Sequence, residues 1–368
     1  MDRKTNKFEN IQALRGVAVL MVLLFHVHAL EAQYYQREIL SNFFDLGTAG
    51  VDIFFVISGF IMVQVTRGKF QKPDEIIYFL LHRLTRIYPL YWFYSLLLIV
   101  VFLIQPNWIH HVKDQTFSMI KSFLLLPQPT GPLLNVGWSL VHELYFYSVI
   151  CLILFFPEKI LLFLLGAWAI LVMISHIIFS FSSPMLLLMT HPLTMEFIAG
   201  CSIAQFYNSS GKKSWAWFIL IVGLCLFLIV GYLHLLPGEI RDGWARIFVF
   251  GIPSMLVVLA GVLLEKKSIL FPHFLRRLGD ASYSIYLSHA LVLSALGRLY
   301  SAQYIHTTYA HLLGLLLEVI VALVVGICSF RYLEKPLLVY FSSKVSKLRF
   351  NFLNNYSFAN KQVSESDR

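Results

Sequence analysis

Hydrophobic segments of about 20 residues recur along this chain, and each is long enough to cross a lipid bilayer as an α-helix. Only 13% of the 368 residues are charged, whereas soluble domains have about 25%. The sequence therefore predicts an all-α fold, a polytopic membrane helix bundle of about ten transmembrane helices. The predicted spans are 11–30, 44–65, 87–104, 138–156, 160–179, 193–208, 216–235, 245–264, 281–299 and 312–331.

Lys and Arg residues in the connections predict the orientation, because cytoplasmic loops carry an excess of positive charge. With the N-terminus in the cytoplasm, roughly 22 basic residues fall inside and six outside, and Arg15 lies within its span. Both termini are therefore predicted to be cytoplasmic, with residues 337–368 as a polar, basic tail. The formal charge of +9 does not indicate nucleic-acid binding, because the basic residues lie in the short connections between spans.

The first span contains two ionisable side chains, Arg15 and His26, which membrane helices normally avoid. Their spacing places them about 20° apart around the helix axis and roughly 16 Å apart along it, so they share one face. Ionisable groups at membrane depth usually face a protein interior or a water-filled cavity. One helix therefore presents a permanent cation near its inner end and a titratable imidazole near its outer end.

Two carboxylates are predicted near the outer face. Glu143 lies in GWSLVHELYFY at the start of the fourth span, about five residues in, and is expected to share the depth of His26. Asp52, in GTAGVDIFFVISGFIM, begins the second span. A carboxylate beside an imidazole orients it as a general base. The alternatives are a structural hydrogen bond for Glu143 and a helix cap for Asp52.

Arginines also gather on the cytoplasmic side. Arg83 and Arg86 in HRLTRIYPLYW have helical i, i+3 spacing, and guanidinium groups match phosphate oxygens bidentately. The alternative is that both are ordinary cytoplasmic flanking charges. Further on, His289 in GDASYSIYLSH lies mid-span, where it lines the same cavity or is a hydrogen-bonded core residue. Arg331 and Glu334 in RYLEKP are spaced to pair locally.

The longest outer connection, residues 105–137, is proline-rich and contains Trp108, His110 and His111. It is too long for a tight turn. Connections of this length either cover a functional site or are mobile, and the sequence does not favour one over the other.

Six of these segments occur in the order typical of one family and cover the chain from Asn10 to Pro336. They are Arg15 with His26, GVDIFFVISGFIM, Arg83-Leu-Thr-Arg86 before Ile-Tyr-Pro, GWSLVHELYFY, SYSIYLSH and RYLEKP. In these motifs the chain resembles acyltransferase family 3, a family of multi-spanning membrane acyltransferases, and looks closest to its exopolysaccharide and O-antigen acetyltransferases. The resemblance implies one family domain over residues 1–336, in a bacterial cytoplasmic (inner) membrane.

The resemblance also implies the substrates and the site. The donor would be acyl-coenzyme A, usually acetyl-CoA, taken from the cytoplasm, and no metal is implied. The acceptor would be a hydroxyl of a lipid-linked or surface glycan. His26 would be catalytic, with Glu143 and Asp52 beside it, and Arg15, Arg83 and Arg86 would bind the donor phosphates. Other motif residues are expected to support this site, namely Ser58, Trp138, Ser139, Tyr145, His289, Arg331 and Glu334.

The chemistry leaves two routes open, since His26 either deprotonates the acceptor hydroxyl or takes the acyl group itself. Both routes need one continuous passage from the arginines to His26. A rival hypothesis is a transporter or flippase for a glycan or lipid-linked precursor, in which buried Arg, His and Glu form a substrate or proton path. No inverted repeat is evident to support it. Within the enzyme class, a small-molecule acceptor is a further alternative.

Overall fold

Each of the ten predicted spans contains a helix in the computed structural model, which describes residues 8–34, 39–108, 116–209, 215–233, 243–301 and 308–347. The ten principal helices are α1 Glu9–Tyr34, α2 Ala49–Thr66, α3 Pro73–Ile104, α4 Trp138–Ile153, α5 Leu161–Ile178, α6 Thr194–Ser209, α7 Ala216–Tyr232, α8 Ile252–Lys266, α9 Ser282–Ser301 and α10 Thr308–Ser329. Short helices lie between and after them, at Asn42–Thr48, Pro106–Trp108, Met119–Phe123, Asn135–Gly137, Glu158–Ile160, Pro184–Met189, Trp244–Arg246, Ile247–Gly251, His273–Asp280 and Phe330–Glu334.

Eight helical stretches in the described part of the chain are long and apolar enough to cross a membrane. Helix α7 is apolar but shorter, at 17 residues. Helix α9 has 20 residues and carries several serines and a histidine. The predicted fold class, a polytopic membrane helix bundle, is confirmed.

Two boundaries differ from the prediction. Helix α3 begins at Pro73 rather than near residue 87, because Pro73 occupies the first helical turn and acidic residues follow it. Arg83 and Arg86 therefore lie inside a membrane-length helix rather than in a connection. At the other end, helix continues beyond α10 to Lys347. Residues 337–347 of the predicted tail are thus helical, and 348–368 lie outside the described residues.

The connection before α4 folds back into the bundle. The Tyr91 hydroxyl, in the middle of α3, donates to the Ser122 carbonyl at 2.7 Å, and the Leu133 amide donates to the Ser122 hydroxyl at 2.6 Å. Tyr91 lies roughly 20 Å along the axis before the end of α3. Leu125 and Leu133 are buried. Irregular backbone is tolerated at this depth because its polar groups find protein partners, so the described part of this connection is a re-entrant segment that covers the bundle interior.

Helices α2 and α6 cross where two glycines meet. A Cβ on Gly200 would lie 1.9 Å from the Val56 carbonyl oxygen, and a Cβ on Gly59 would lie 2.0 Å from the Phe197 carbonyl oxygen. Small residues let membrane helices approach this closely, since dispersion rather than the hydrophobic effect drives their packing. The crossing holds α2 in place as one wall of the interior.

Replacing Gly200 by alanine is therefore expected to separate α2 from α6 and lower the midpoint of thermal unfolding in detergent. Overpacking of this kind costs roughly 1–3 kcal/mol. The control is Gly166→Ala on α5, where no atom lies within 4 Å of the added methyl group. That change should leave the midpoint unchanged or raise it, because alanine favours helix over glycine. Equal midpoints for the two variants would contradict the close crossing.

Candidate active site

A cavity of about 410 Å³ lies inside the bundle, lined by side chains from α1, α2, α3, α4 and α9. It follows α2 from Val51 to Val65, a distance of about 21 Å along the helix axis. Gln12 lines it near the start of α1. Its volume is within the range of pockets that enclose small ligands, and its walls are largely apolar with a few charged groups.

Three arginines line this one cavity, Arg15 from α1 and Arg83 and Arg86 from α3. Arg15 donates to the Ser282 hydroxyl at 2.9 Å, and Arg83 lies 5.7 Å from the ring centre of Phe79. All three side chains are half-buried. The structure therefore brings together the three arginines that the sequence predicted as one group.

Packing of the short helix His273–Asp280 against α1 fixes the position of Arg15. A Cβ on Gly279 would lie 1.7 Å from the Gln12 carbonyl oxygen, so only glycine permits this contact. Ser282 follows three residues later, at the start of α9. Its hydroxyl is thereby held beside the Arg15 guanidinium.

Two carboxylates accompany the arginines. Glu143 accepts hydrogen bonds from Ser58 at 3.2 Å and from Tyr147. Glu334 is buried and accepts a hydrogen bond from Ser284 at 2.6 Å, within electrostatic range of Arg86 and Arg15. Three guanidinium groups thus face two carboxylates. A cluster with surplus positive charge in a low-dielectric interior favours a bound anion.

Glu143 was expected at the depth of His26, and the structure instead places it with the arginines. The reason is the re-entrant segment. Because residues 116–137 descend into the bundle, α4 starts in the interior rather than at the outer face. Five residues into this helix, Glu143 has reached the arginine cluster.

Asp52 is also not brought to His26. Its two carboxylate oxygens accept hydrogen bonds from Arg246, at 2.9 Å from Nε and 2.7 Å from Nη2. Both side chains are buried, and Glu196 lies within electrostatic range of both. Asp52 is therefore held in a bidentate ion pair between α2 and the short helix Trp244–Arg246.

Removing Arg246 should destabilise the protein strongly, because Arg246→Met leaves two buried carboxylates without their cation. The expected loss in the free energy of unfolding is roughly 3–5 kcal/mol. The matched control is Arg276→Met, which breaks a half-exposed ion pair with Glu9 at 3.0 Å and should cost about 0–1 kcal/mol. Thermal unfolding of both variants in detergent measures the difference. Similar losses would show that burial does not distinguish the two pairs.

His26 contacts a second histidine. The ring of His289 is fully buried and meets the ring of His26 edge-on, with 4.7 Å between the ring centres. The Nδ1 atom of His26 lies 2.9 Å from the Val22 carbonyl oxygen. His26 itself does not line the cavity. Of the two interpretations of His289, the structure shows the hydrogen-bonded core residue, since His289 does not line the cavity and its Nδ1 atom lies 3.1 Å from the Ile285 carbonyl oxygen.

Tyr286 lines the cavity and also contacts this histidine pair. Its ring lines the cavity and lies 5.8 Å from the ring centre of His289. Its hydroxyl group is 2.8 Å from the Ser139 hydroxyl and donates to the Val136 carbonyl of the re-entrant segment at 2.9 Å. The lining of this cavity includes Tyr286 but not His26, so the predicted continuous passage from the arginines to His26 is not complete within this cavity.

The remaining predicted residues divide into two groups. Ser58 and Ser139 line the cavity. Trp138 packs against Phe55 instead, with 6.3 Å between ring centres, and Tyr145 donates to the Met189 carbonyl at 3.2 Å. These two side chains lie outside the cavity lining.

The expected local pair of Arg331 and Glu334 is wrong. A π-helical turn over Phe330–Glu334 directs Glu334 inward to Ser284, and Arg331 is exposed, 5.8 Å from the Tyr332 ring centre.

Several side chains that line the cavity were not predicted as site residues, among them Tyr147, Ser282 and Tyr286. A periodic signal was present for α9. Ser282, Tyr286 and His289 are spaced i, i+4 and i+7 and so share one face of the helix. This face runs from the Arg15 partner to the His26 partner. Within the described residues, no group of three or more His, Cys, Asp or Glu side chains is arranged to hold a metal ion.

Comparison with protein families matches residues 8–331 to the acyltransferase domain. The exopolysaccharide production protein ExoZ of Rhizobium meliloti is 29% identical over 326 residues, covering 83% of this chain and 94% of that protein. The O-acetyltransferase OatA of Staphylococcus aureus is 24% identical, covering 89% of this chain, which spans 56% of OatA's length. Protein 2 of the picA locus of Rhizobium radiobacter is 30% identical over 39% of this chain and 80% of its own length. No solved structure matches.

Proposed function

The chain belongs to acyltransferase family 3 as a multi-pass membrane O-acetyltransferase, and from that premise we propose its donor, its acceptor and its catalytic residues. The donor is acyl-CoA, with acetyl as the acyl group, taken from the cytoplasm. The acceptor is a hydroxyl group of a cell-surface or lipid-linked glycan. The enzyme lies in the bacterial cytoplasmic membrane with both termini inside, as one domain over residues 1–336 followed by a basic tail.

The observation that carries the proposal is the meeting of Arg15, Arg83 and Arg86 at one largely apolar cavity. Acyl-CoA is a long molecule with several phosphates at one end and a thin, mostly uncharged arm that ends in the thioester. Guanidinium groups bind phosphate oxygens through paired, charge-assisted hydrogen bonds. The apolar walls along α2 suit the arm, which would extend away from the arginines toward the outer half of the bundle.

His26 is the proposed catalytic residue. Because a carbonyl oxygen only accepts hydrogen bonds, the contact with Val22 assigns the ring hydrogen to Nδ1. The Nε2 lone pair is then available either to take a proton from the acceptor hydroxyl or to attack the thioester. His26 also lies roughly 16 Å beyond Arg15 along α1, on the outer side where a surface glycan is accessible.

The proposal requires a movement of Tyr286. The cavity lining includes Tyr286 but not His26, and the Tyr286 hydroxyl is held by Ser139 and Val136. Both partners lie at or near the end of the re-entrant segment. A shift of this segment on binding of either substrate would release the tyrosine and join the cavity to His26.

The names of two relatives support a glycan acceptor and an acetyl group respectively. ExoZ is named for exopolysaccharide production and OatA for O-acetyl transfer. This chain is similar to ExoZ over nearly the whole of that protein.

The test uses membranes that contain the protein, radiolabelled acetyl-CoA and the surface glycans of the host. Label covalently attached to glycan, and absent from membranes without the protein, is the expected result. Movement of an unlabelled glycan or lipid-linked precursor across the vesicle membrane, without covalent label, would instead identify a transporter. Label found only on a small molecule would contradict the glycan acceptor, but the protein would still be an acyltransferase.

A further inference from the structure

The second histidine, His289, contacts His26 but has no role in the proposed transfer so far. His289 is fully buried on α9, and its ring meets His26 edge-on at 73° between the ring planes. Its Nδ1 atom lies 3.1 Å from the carbonyl oxygen of Ile285. Its Nε2 atom is buried and has no hydrogen-bond partner. A buried polar atom left unpaired is costly and calls for an explanation.

Backbone contacts assign the hydrogen positions on both rings. The carbonyl oxygens of Val22 and Ile285 accept from Nδ1 of His26 and of His289 respectively. Both neutral rings therefore carry their hydrogen on Nδ1 and a lone pair on Nε2. In this resting state neither Nε2 atom can donate to the other, which accounts for the unpaired Nε2 of His289.

Protonation of His26 would place a hydrogen on its Nε2 atom and so change this arrangement. A histidine that acts as a base becomes a cation, and a neighbouring acceptor usually stabilises that cation. His26 donates no hydrogen bond to a described carboxylate: Glu143 accepts from Ser58 and Tyr147, and Asp52 accepts from Arg246. The neighbour in ring contact with His26 that offers a free lone pair is His289.

We propose that His289 is a positioning residue whose Nε2 accepts a hydrogen bond from Nε2–H of His26 once His26 has been protonated. The inference rests on the proposed function and deepens it, because it selects general-base catalysis over an acyl-histidine. The O–H bond of the acceptor breaks and an N–H bond forms on His26, while the hydroxyl oxygen forms the ester C–O bond. The thioester C–S bond breaks, and the leaving thiolate takes the proton back from His26.

The test compares His289→Leu with His289→Gln in purified protein supplied with acetyl-CoA and acceptor glycan. Leucine offers no acceptor, so kcat should fall about 10- to 100-fold. KM for acetyl-CoA should stay unchanged, because His289 lies outside the arginine cavity. The glutamine amide oxygen extends to about the position of Nε2 and accepts hydrogen bonds. His289→Gln should therefore recover much of the lost kcat.

The chain offers a matched control in His142. This histidine is also buried, meets the ring of His191 edge-on at 4.7 Å, and has an unpaired ring nitrogen. It lies outside the cavity lining. His142→Leu removes the same chemical group from another buried position, so it measures the structural cost of losing a buried imidazole. We expect its kcat to stay within about twofold of the unmodified protein, because its ring contacts His191 and Phe55 rather than His26.

Three results would overturn the role of His289. They are an unchanged kcat in His289→Leu, no recovery in His289→Gln, or an equal loss of kcat in His142→Leu. Acyl label bound to His26 in the unmodified protein would also contradict it, since an acylated Nε2 has no hydrogen to donate. Absence of covalent label on glycan with the unmodified protein would refute the proposed function itself, so the two failures are distinguishable.

Discussion

Replacing His26 by alanine is expected to abolish acetyl transfer while the protein still accumulates in the membrane. The imidazole is the proposed base, and removing a positioned general base costs about 10²–10⁴-fold in rate. Its ring is half-buried and contacts His289 rather than the principal helix crossings, so the fold should survive. The measurement is label transfer from acetyl-CoA to glycan, with protein level and acetyl-CoA affinity determined on the same preparation.

The control for this variant is His28→Ala on the same helix. His28 faces Glu31 and Asp45, at 3.9 and 4.0 Å, and not His289. Acetyl transfer in His28→Ala should remain. His26→Ala should bind acetyl-CoA with unchanged affinity, because the arginine cavity does not include it. Normal transfer in His26→Ala, at equal protein level, would refute the assigned chemistry.

Replacing Arg86 by alanine should weaken acetyl-CoA binding much more than it weakens the fold. Arg86 lines the cavity, and its charge interacts with Arg15 and Glu334. A hydrogen bond between charged partners contributes roughly 1.5–3 kcal/mol, so Kd for acetyl-CoA should rise about 10- to 100-fold. Calorimetry on purified protein measures this Kd, and thermal unfolding of the same samples measures the fold.

Two variants control for charge and for position. Arg86→Lys keeps the charge and loses the guanidinium fork, so its Kd should lie between those of Arg86→Ala and the unmodified protein. Arg298→Ala removes an arginine on α9 that packs over the rings of Tyr34 and Trp108, away from the cavity. Its Kd should not change. Equal affinity in Arg86→Ala and the unmodified protein would exclude the phosphate role of Arg86.

Much of this site was predictable from the sequence because helical geometry relates residues on a single helix. Arg15 and His26 were placed on one face of α1, and Arg83 and Arg86 on one turn of α3, from spacing alone. The fold class followed from apolar segments that alternate with basic connections. The structure confirms the fold class and brings the three arginines to one cavity.

The sequence predictions failed where the backbone does not follow a simple alternation of membrane spans and surface loops. Counting from an outer surface placed Glu143 beside His26, whereas the re-entrant segment lowers the start of α4 to the arginines. Glu334 was paired with its neighbour Arg331, whereas a π-helical turn directs it to Ser284 on another helix. Long-range partners such as Asp52 with Arg246 depend on helix packing, which local spacing does not encode.

Acetyl transfer by this enzyme requires one route that joins the arginine cavity to the histidine pair when Tyr286 moves. A structure of the protein with a non-hydrolysable acetyl-CoA analogue measures this directly. We expect the phosphates against Arg15, Arg83 and Arg86, Tyr286 displaced from Ser139, and the acyl carbonyl carbon about 3–3.5 Å from Nε2 of His26 or from a hydroxyl bound to it. An acyl end that stops below an unmoved Tyr286, or phosphates bound away from the three arginines, would contradict the account.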